Sequence, residues 1–118
     1  MVDLAKTRKS HGPSEAQIQK AVIDYLRWQN ITFFRINVVG IPLKDGSFRP
    51  NSQMKGIADL SLIIRGKSVW FEIKRLNGRQ TQHQKDFAEK VRKAGGYYFL
   101  IRSVEQAQSA INYLRGMK

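Results

Sequence analysis

Cysteine is absent from the 118 residues, which excludes disulfides and thiolate metal sites and fits a reducing cytoplasm. No apolar run is long enough to span a bilayer, and no hydrophobic segment near the N-terminus resembles a signal peptide. The two histidines, His11 and His83, are too isolated to form a zinc or His-metal site. A Gly-rich phosphate loop of the Walker type is missing, so no nucleotide cofactor is expected. Neither an internal repeat nor a low-complexity tract occurs. Acidic residues are scarce: nine Asp plus Glu stand against 21 Lys plus Arg, for a net charge of +12. That excess favours a polyanionic partner. An anionic membrane surface is the rival, but no helix pairs a broad apolar face with a basic one and nothing else to pack on. Nucleic acid is the partner the composition predicts, and the length predicts one domain.

Residues 1–12 carry Lys6, Arg8, Lys9 and His11 with little apolar pattern, and read as a flexible basic arm before a single domain over 13–118. Ser14 with Gln17 is a capping box, and Ile18, Ala21, Val22, Tyr25 and Leu26 trace the apolar face of a first helix ending near Asn30. Glu15 then falls on the inward side of its first turn, with Gln19 one turn later. Ile31 to Val39 reads as a strand, with Arg35 and Asn37 on one side. Gly40 to Lys55 is a long irregular segment bearing Lys44, Arg49 and Lys55. Thr81 with Gln84 and Ser103 with Gln106 predict two further capping boxes. The first opens a helix buried through Phe87, Ala88, Val91 and Ala94 and ended by Gly95-Gly96. The second opens one buried through Ala107, Ala110, Ile111 and Leu114. Between them Tyr97 to Arg102 is a strand, which a helical crossover sets parallel to a neighbour. The fold expected is α/β, with a mixed central sheet flanked by helices and a C-terminal helix.

The densest chemistry lies from Gly56 to Lys74. Gly66-Lys67 fits a two-residue hairpin loop of type II′, which pairs Ser61 with Glu72 and Asp59 with Lys74. Alternation puts Leu60, Leu62, Ile64, Val69, Phe71 and Ile73 on a core face. Asp59, Ser61, Glu72 and Lys74 then share the opposite face. Two hard oxygen ligands suit Mg²⁺, and Lys74 is near enough to steady or deprotonate an attacking water. The same residues also fit a cross-strand Asp59–Lys74 ion pair with Glu72 solvated.

With that order of elements and the Asp59…Glu72-Ile73-Lys74 spacing, the chain resembles the VRR-NUC family of the PD-(D/E)XK nuclease superfamily. The matching elements are Glu15 and Gln19, Arg35-Ile36-Asn37, Gly56-Ile57-Ala58-Asp59-Leu60, Glu72-Ile73-Lys74, and Gln84-Lys85-Asp86-Phe87 followed by Gly95. Where the superfamily pattern has proline before the aspartate, this chain has Ala58. The resemblance implies a restriction-endonuclease-like αβββαβ core. It also implies Mg²⁺ or Mn²⁺ bound by Asp59, Glu72 and the Ile73 carbonyl, with Glu15 completing the metal environment. By the same resemblance Lys74 would assist the nucleophilic water, and Gln84 would reach toward the site. The implied activity is metal-dependent hydrolysis of DNA, structure-selective on branched or junction DNA, by a homodimer similar to small viral or bacterial Holliday-junction resolvases. A cytoplasmic location is expected, the host's if phage-encoded. Arg35, Asn37, Lys44, Arg49 and Lys55 are candidate DNA contacts. A non-catalytic nucleic-acid-binding protein of the same fold, or a flap or sequence-specific endonuclease, are the alternatives.

Overall fold

Helix starts are set by hydroxyl side chains. Ser14 Oγ accepts the Gln17 N–H at 3.1 Å while Gln17 Oε1 accepts the Ser14 N–H at 2.8 Å, a complete capping box. It opens α1 (Glu15–Trp28). The computed structural model describes residues 12–36, 41–49 and 55–117. The basic arm therefore lies outside the described residues except for Gly12. At the far end of α1, Asn30 takes a left-handed φ of 55°, and the Ile31 N–H returns to the Leu26 carbonyl at 3.0 Å. The buried stripe of α1 is Ile18, Val22, Ile23 and Leu26. Ala21, expected inside, is exposed, because Ile23 brings far more apolar area to the sheet than a single methyl.

The central sheet has the order β1-β4-β5-β6, from β1 (Thr32–Arg35), β4 (Leu60–Ile64), β5 (Lys67–Ile73) and β6 (Tyr97–Ile101). The first two pairings are antiparallel, and β6 joins β5 in parallel after the crossover through α2 (Gln82–Lys93). This is the mixed sheet expected. The predicted core face is also correct: Leu60, Leu62, Ile64, Val69, Phe71 and Ile73 are all buried there, joined by Ile101, under α1 and α3 (Val104–Arg115). On the other face α2 covers Ala58, Trp70 and Tyr98 with Ala88, Phe87 and Val91. Trp70 and Phe87 meet edge to face at 5.1 Å. Ala94, expected on that buried side, is exposed.

Four details differ from expectation. The β4–β5 loop is Arg65-Gly66, not Gly66-Lys67. Both residues have positive φ, 50° and 78°, as a type I′ turn requires, so Ile64 pairs with Lys67 and Ser61 with Trp70. The pairing slides while each residue keeps its face. The first strand stops at Arg35, with Asn37 outside the described residues. Within the segment expected to be irregular, β2 (Ile41–Pro42) and β3 (Phe48–Arg49) form a small antiparallel ribbon. Strands of two residues are too short to show alternation. Finally, Ser103 caps α3 through the Gln106 N–H at 3.2 Å, but Gln106 Oε1 accepts from Arg102 rather than Ser103. That is half a capping box.

Candidate active site

Asp59 lies just before β4 and is held from two sides. Its Oδ2 accepts the Ile73 N–H at 2.7 Å, and its carbonyl accepts the Ile36 N–H at 2.8 Å. The segment leading to it is seated by Gly56, whose φ is +77°. A side chain at Gly56 would collide with the His83 carbonyl, so only glycine lets this backbone lie against the first turn of α2.

The observed hairpin register, continued by one position, sets Asp59 opposite Glu72 and not opposite Lys74. Glu72 is 3% exposed and is the one buried charged residue among the described residues. Its Oε1 has no hydrogen-bond partner. Burial pushes its carboxyl up to about 9; the Asp59 carboxylate beside it and, more weakly, Glu15 add to this, while Lys74 opposes it. Two ion pairs occur among the described residues, Lys20–Asp24 and Lys93–Glu89. Asp59–Lys74 is not one of them. The ion-pair reading of the hairpin therefore fails on both counts, since Asp59 is unpaired and Glu72 is not solvated.

Lys74 follows β5, half-buried, with its N–H on the Ile101 carbonyl at 3.0 Å. Its side-chain stem passes beside Gly78. The 75–78 turn beyond it is fixed by Arg102, whose Nη1 donates to the carbonyls of Arg75, Leu76 and Gly78 at 2.6, 3.0 and 2.8 Å. On β6, buried Tyr98 accepts a hydrogen bond from Gln80 Nε2 at 2.9 Å. Burial, then the charge of Glu72, pushes its hydroxyl up to about 12. Arg102, Gln80 and Tyr98 were not anticipated. They come from separate segments, and no spacing pattern links them.

The other anticipated residues scatter. Glu15 is exposed on the first turn of α1, near enough to act on Glu72. Gln84 completes the α2 capping box through Oε1, which accepts the Thr81 N–H at 2.9 Å, so Nε2 alone is left for other contacts. Arg35 is exposed at the end of β1, Lys44 and Arg49 on the β2–β3 ribbon, and Lys55 just before Gly56.

A solved structure described as "VRR_NUC domain" superposes on this arrangement with a TM-score of 0.62 at 21% identity, covering 86% of this chain and 98% of that one. The chain has the fold of a VRR_NUC domain. No family model and no curated protein matches the sequence. Nor, among the described residues, is any helix long and apolar enough to cross a membrane.

Within this VRR_NUC fold the groups suited to a metal are few. Among the described residues no three of His, Cys, Asp and Glu cluster as a metal set. The donor set is thus the Asp59–Glu72 pair. It fits a hard cation nonetheless. Mg²⁺ takes only one or two protein carboxylates and keeps several waters. A buried carboxylate with an orphaned oxygen, set against a second carboxylate, is costly until a cation or proton joins it.

Proposed function

We propose that this chain is a divalent-metal-dependent DNA nuclease of the VRR-NUC type, hydrolysing phosphodiester bonds in branched DNA as a homodimer. The observation that carries the reading is Glu72: buried, short of a hydrogen bond, and driven toward its protonated form beside Asp59. Carboxyl groups shifted this far by burial and a like charge concentrate at functional sites. The VRR_NUC fold and the net charge of +12 support a nucleic-acid substrate.

Asp59, Glu72 and the Ile73 carbonyl would hold Mg²⁺ or Mn²⁺, with Glu15 facing the same ion. When bound, the cation supplies Lewis acidity toward a phosphate oxygen and its nucleophile. The Ile73 N–H fixes the Asp59 carboxylate, so this acceptor needs no reorganisation during reaction. Lys74 orients or deprotonates the attacking water and offsets charge growing on the phosphate. Gln84, through Nε2, contacts the substrate side of the site. Arg35, Asn37, Lys44, Arg49 and Lys55 contact the DNA backbone, which positions a duplex without reading its sequence. The three helices of the described residues are engaged in packing the sheet, which supports selection by DNA shape over reading in the major groove.

The test is a panel of labelled four-way junction, flap, fork and linear duplex DNA with Mg²⁺, Mn²⁺ or EDTA. Wild type is compared with Asp59→Ala, Glu72→Ala and Lys74→Ala. Cleavage of junctions by wild type alone, with binding retained in all three variants, supports the reading. Equal cleavage by the variants overturns the site, and preference for flaps or one sequence replaces the junction. A second reading, a DNA-binding protein without turnover, rests on the lack of a third clustered acid among the described residues. Metal-independent binding with no cleavage of any substrate would establish it.

A further inference from the structure

Along the edge of the sheet, α1 and β1 leave a cleft of about 330 Å³ between them. Its helix side is formed by Gln19, Ile23 and Arg27, one turn apart on a single face. Its strand side is Phe33 and Arg35, whose partners Leu62 and Leu60 place both on the sheet face that α1 covers. Lys20 and Asp24 also line it, but these two neutralise each other at 2.8 Å. Arg27 and Arg35 have no acidic partner among the described residues, so the cleft is cationic.

Its two ends differ. At one end Arg35 pairs with Leu60, the chain neighbour of Asp59, and Gln19 stands one turn after Glu15, which acts on Glu72 although Glu72 belongs to the other face of the sheet. At the other end the Arg27 guanidinium lies over the Phe33 ring, 5.9 Å from its centre. Arg27 is exposed, so this flat cation is within reach of a ligand from solvent. A duplex offers such a seam only phosphates, because its base faces are stacked away. An unpaired nucleotide offers both a phosphate and a base face, and guanidinium planes are good stacking partners for bases. The helix from Ala16 to Arg27 is roughly 16 Å long at 1.5 Å per residue, enough for a short stretch of single strand.

We propose that the α1–β1 cleft binds an unpaired nucleotide of the strand that enters the active site, with its base stacked on Arg27 and its phosphate drawn by Arg35. This rests on the nuclease reading for the strand's destination, but its test requires no cleavage. Binding is measured in EDTA by anisotropy, using a blunt duplex and a fork with a short unpaired arm. A 2-aminopurine in that arm reports stacking. Wild type should prefer the fork and brighten the 2-aminopurine as the base leaves its DNA neighbours for Arg27. Arg27→Ala should weaken fork binding about tenfold, the loss of one stacked base. On blunt duplex it should match Lys90→Ala, which removes one charge from α2 on the opposite face. Arg27→Lys keeps the charge without the plane and should keep duplex affinity while losing the brightening. A wild type that leaves the 2-aminopurine emission unchanged, or equal losses on both DNAs for Arg27→Ala and Lys90→Ala, overturns the cleft. A protein that binds forks through Arg27 yet never cuts refutes the nuclease reading alone. One that cuts but ignores Arg27 refutes the cleft alone.

Discussion

The Asp59 carboxylate accepts the backbone N–H of Ile73, the residue after Glu72, at 2.7 Å. This bond holds one acid against the strand that carries the other. The two carboxylates stay close because the main chain keeps them so, against their mutual repulsion.

That repulsion has a pH signature. The Glu72 carboxyl is raised from 4.5 to about 9 by burial first and Asp59 second. Between those values the folded protein holds a proton that the unfolded chain has released, so stability falls as pH rises through the window. It is complete below 4.5 and the loss ends above about 9. The slope should approach, at most, about 1.4 kcal/mol per pH unit. Thermal melts of metal-free protein across this range should show it, and Glu72→Gln should flatten the profile and raise the melting point at the alkaline end. A wild-type profile as flat as that of Glu72→Gln would contradict the buried-acid description.

A divalent cation should take the place of that proton. Saturating Mg²⁺ or Mn²⁺ is expected to raise the melting temperature of wild type, with about 2.7 kcal/mol gained at a hundredfold excess over Kd. The gain should be larger at alkaline pH, where no proton competes. Asp59→Asn and Glu72→Gln should each abolish it. Differential scanning calorimetry with and without EDTA reads the effect directly.

Gly56 is predicted to be intolerant. Its positive φ and the His83 carbonyl both exclude a Cβ. Gly56→Ala should cost about 3 kcal/mol in urea unfolding. Gly46→Ala shares the positive φ but meets nothing within 4 Å, and should cost distinctly less.

Arg102→Met should free three carbonyls at once, those of Arg75, Leu76 and Gly78. A stability loss of about 1–3 kcal/mol is expected, with faster hydrogen exchange at the Gly78 N–H, which bonds to the Arg75 carbonyl. Exchange in the β4–β5 ladder should be hastened only through the loss of global stability. Unchanged exchange at Gly78 would remove Arg102 from its role as the brace behind Lys74.

The sequence was most legible where one residue type answers a local geometric demand. Alternation assigned the core face of β4 and β5 correctly, and hydroxyls with glutamine three residues on located the starts of α1 and α2. It misled where a residue acts against its type. Arg65 takes a left-handed φ that arginine seldom adopts, so the turn was set one residue late and Asp59 was matched with Lys74. Helical spacing sets Glu15 on the inward side of α1, where it is exposed yet near enough to act on Glu72. Tyr98, Gln80 and Arg102 were illegible for another reason. Each acquires its role only from a partner distant in the chain, such as Arg102 with Gly78, 24 positions away.

The Arg65-Gly66 turn also bears on the order of assembly. Asp59 and Ile73 are 14 positions apart, so closing a single hairpin brings the two acids together, an event of roughly microseconds in isolation. β6, whose Leu100 pairs with Glu72, and α2, which covers Trp70 on the same face, both follow that hairpin in the chain. The charged pair is thus gathered by local contacts and dried by distant ones. Changes in the turn should act on the folding rate, and changes under α2 on the rate of unfolding.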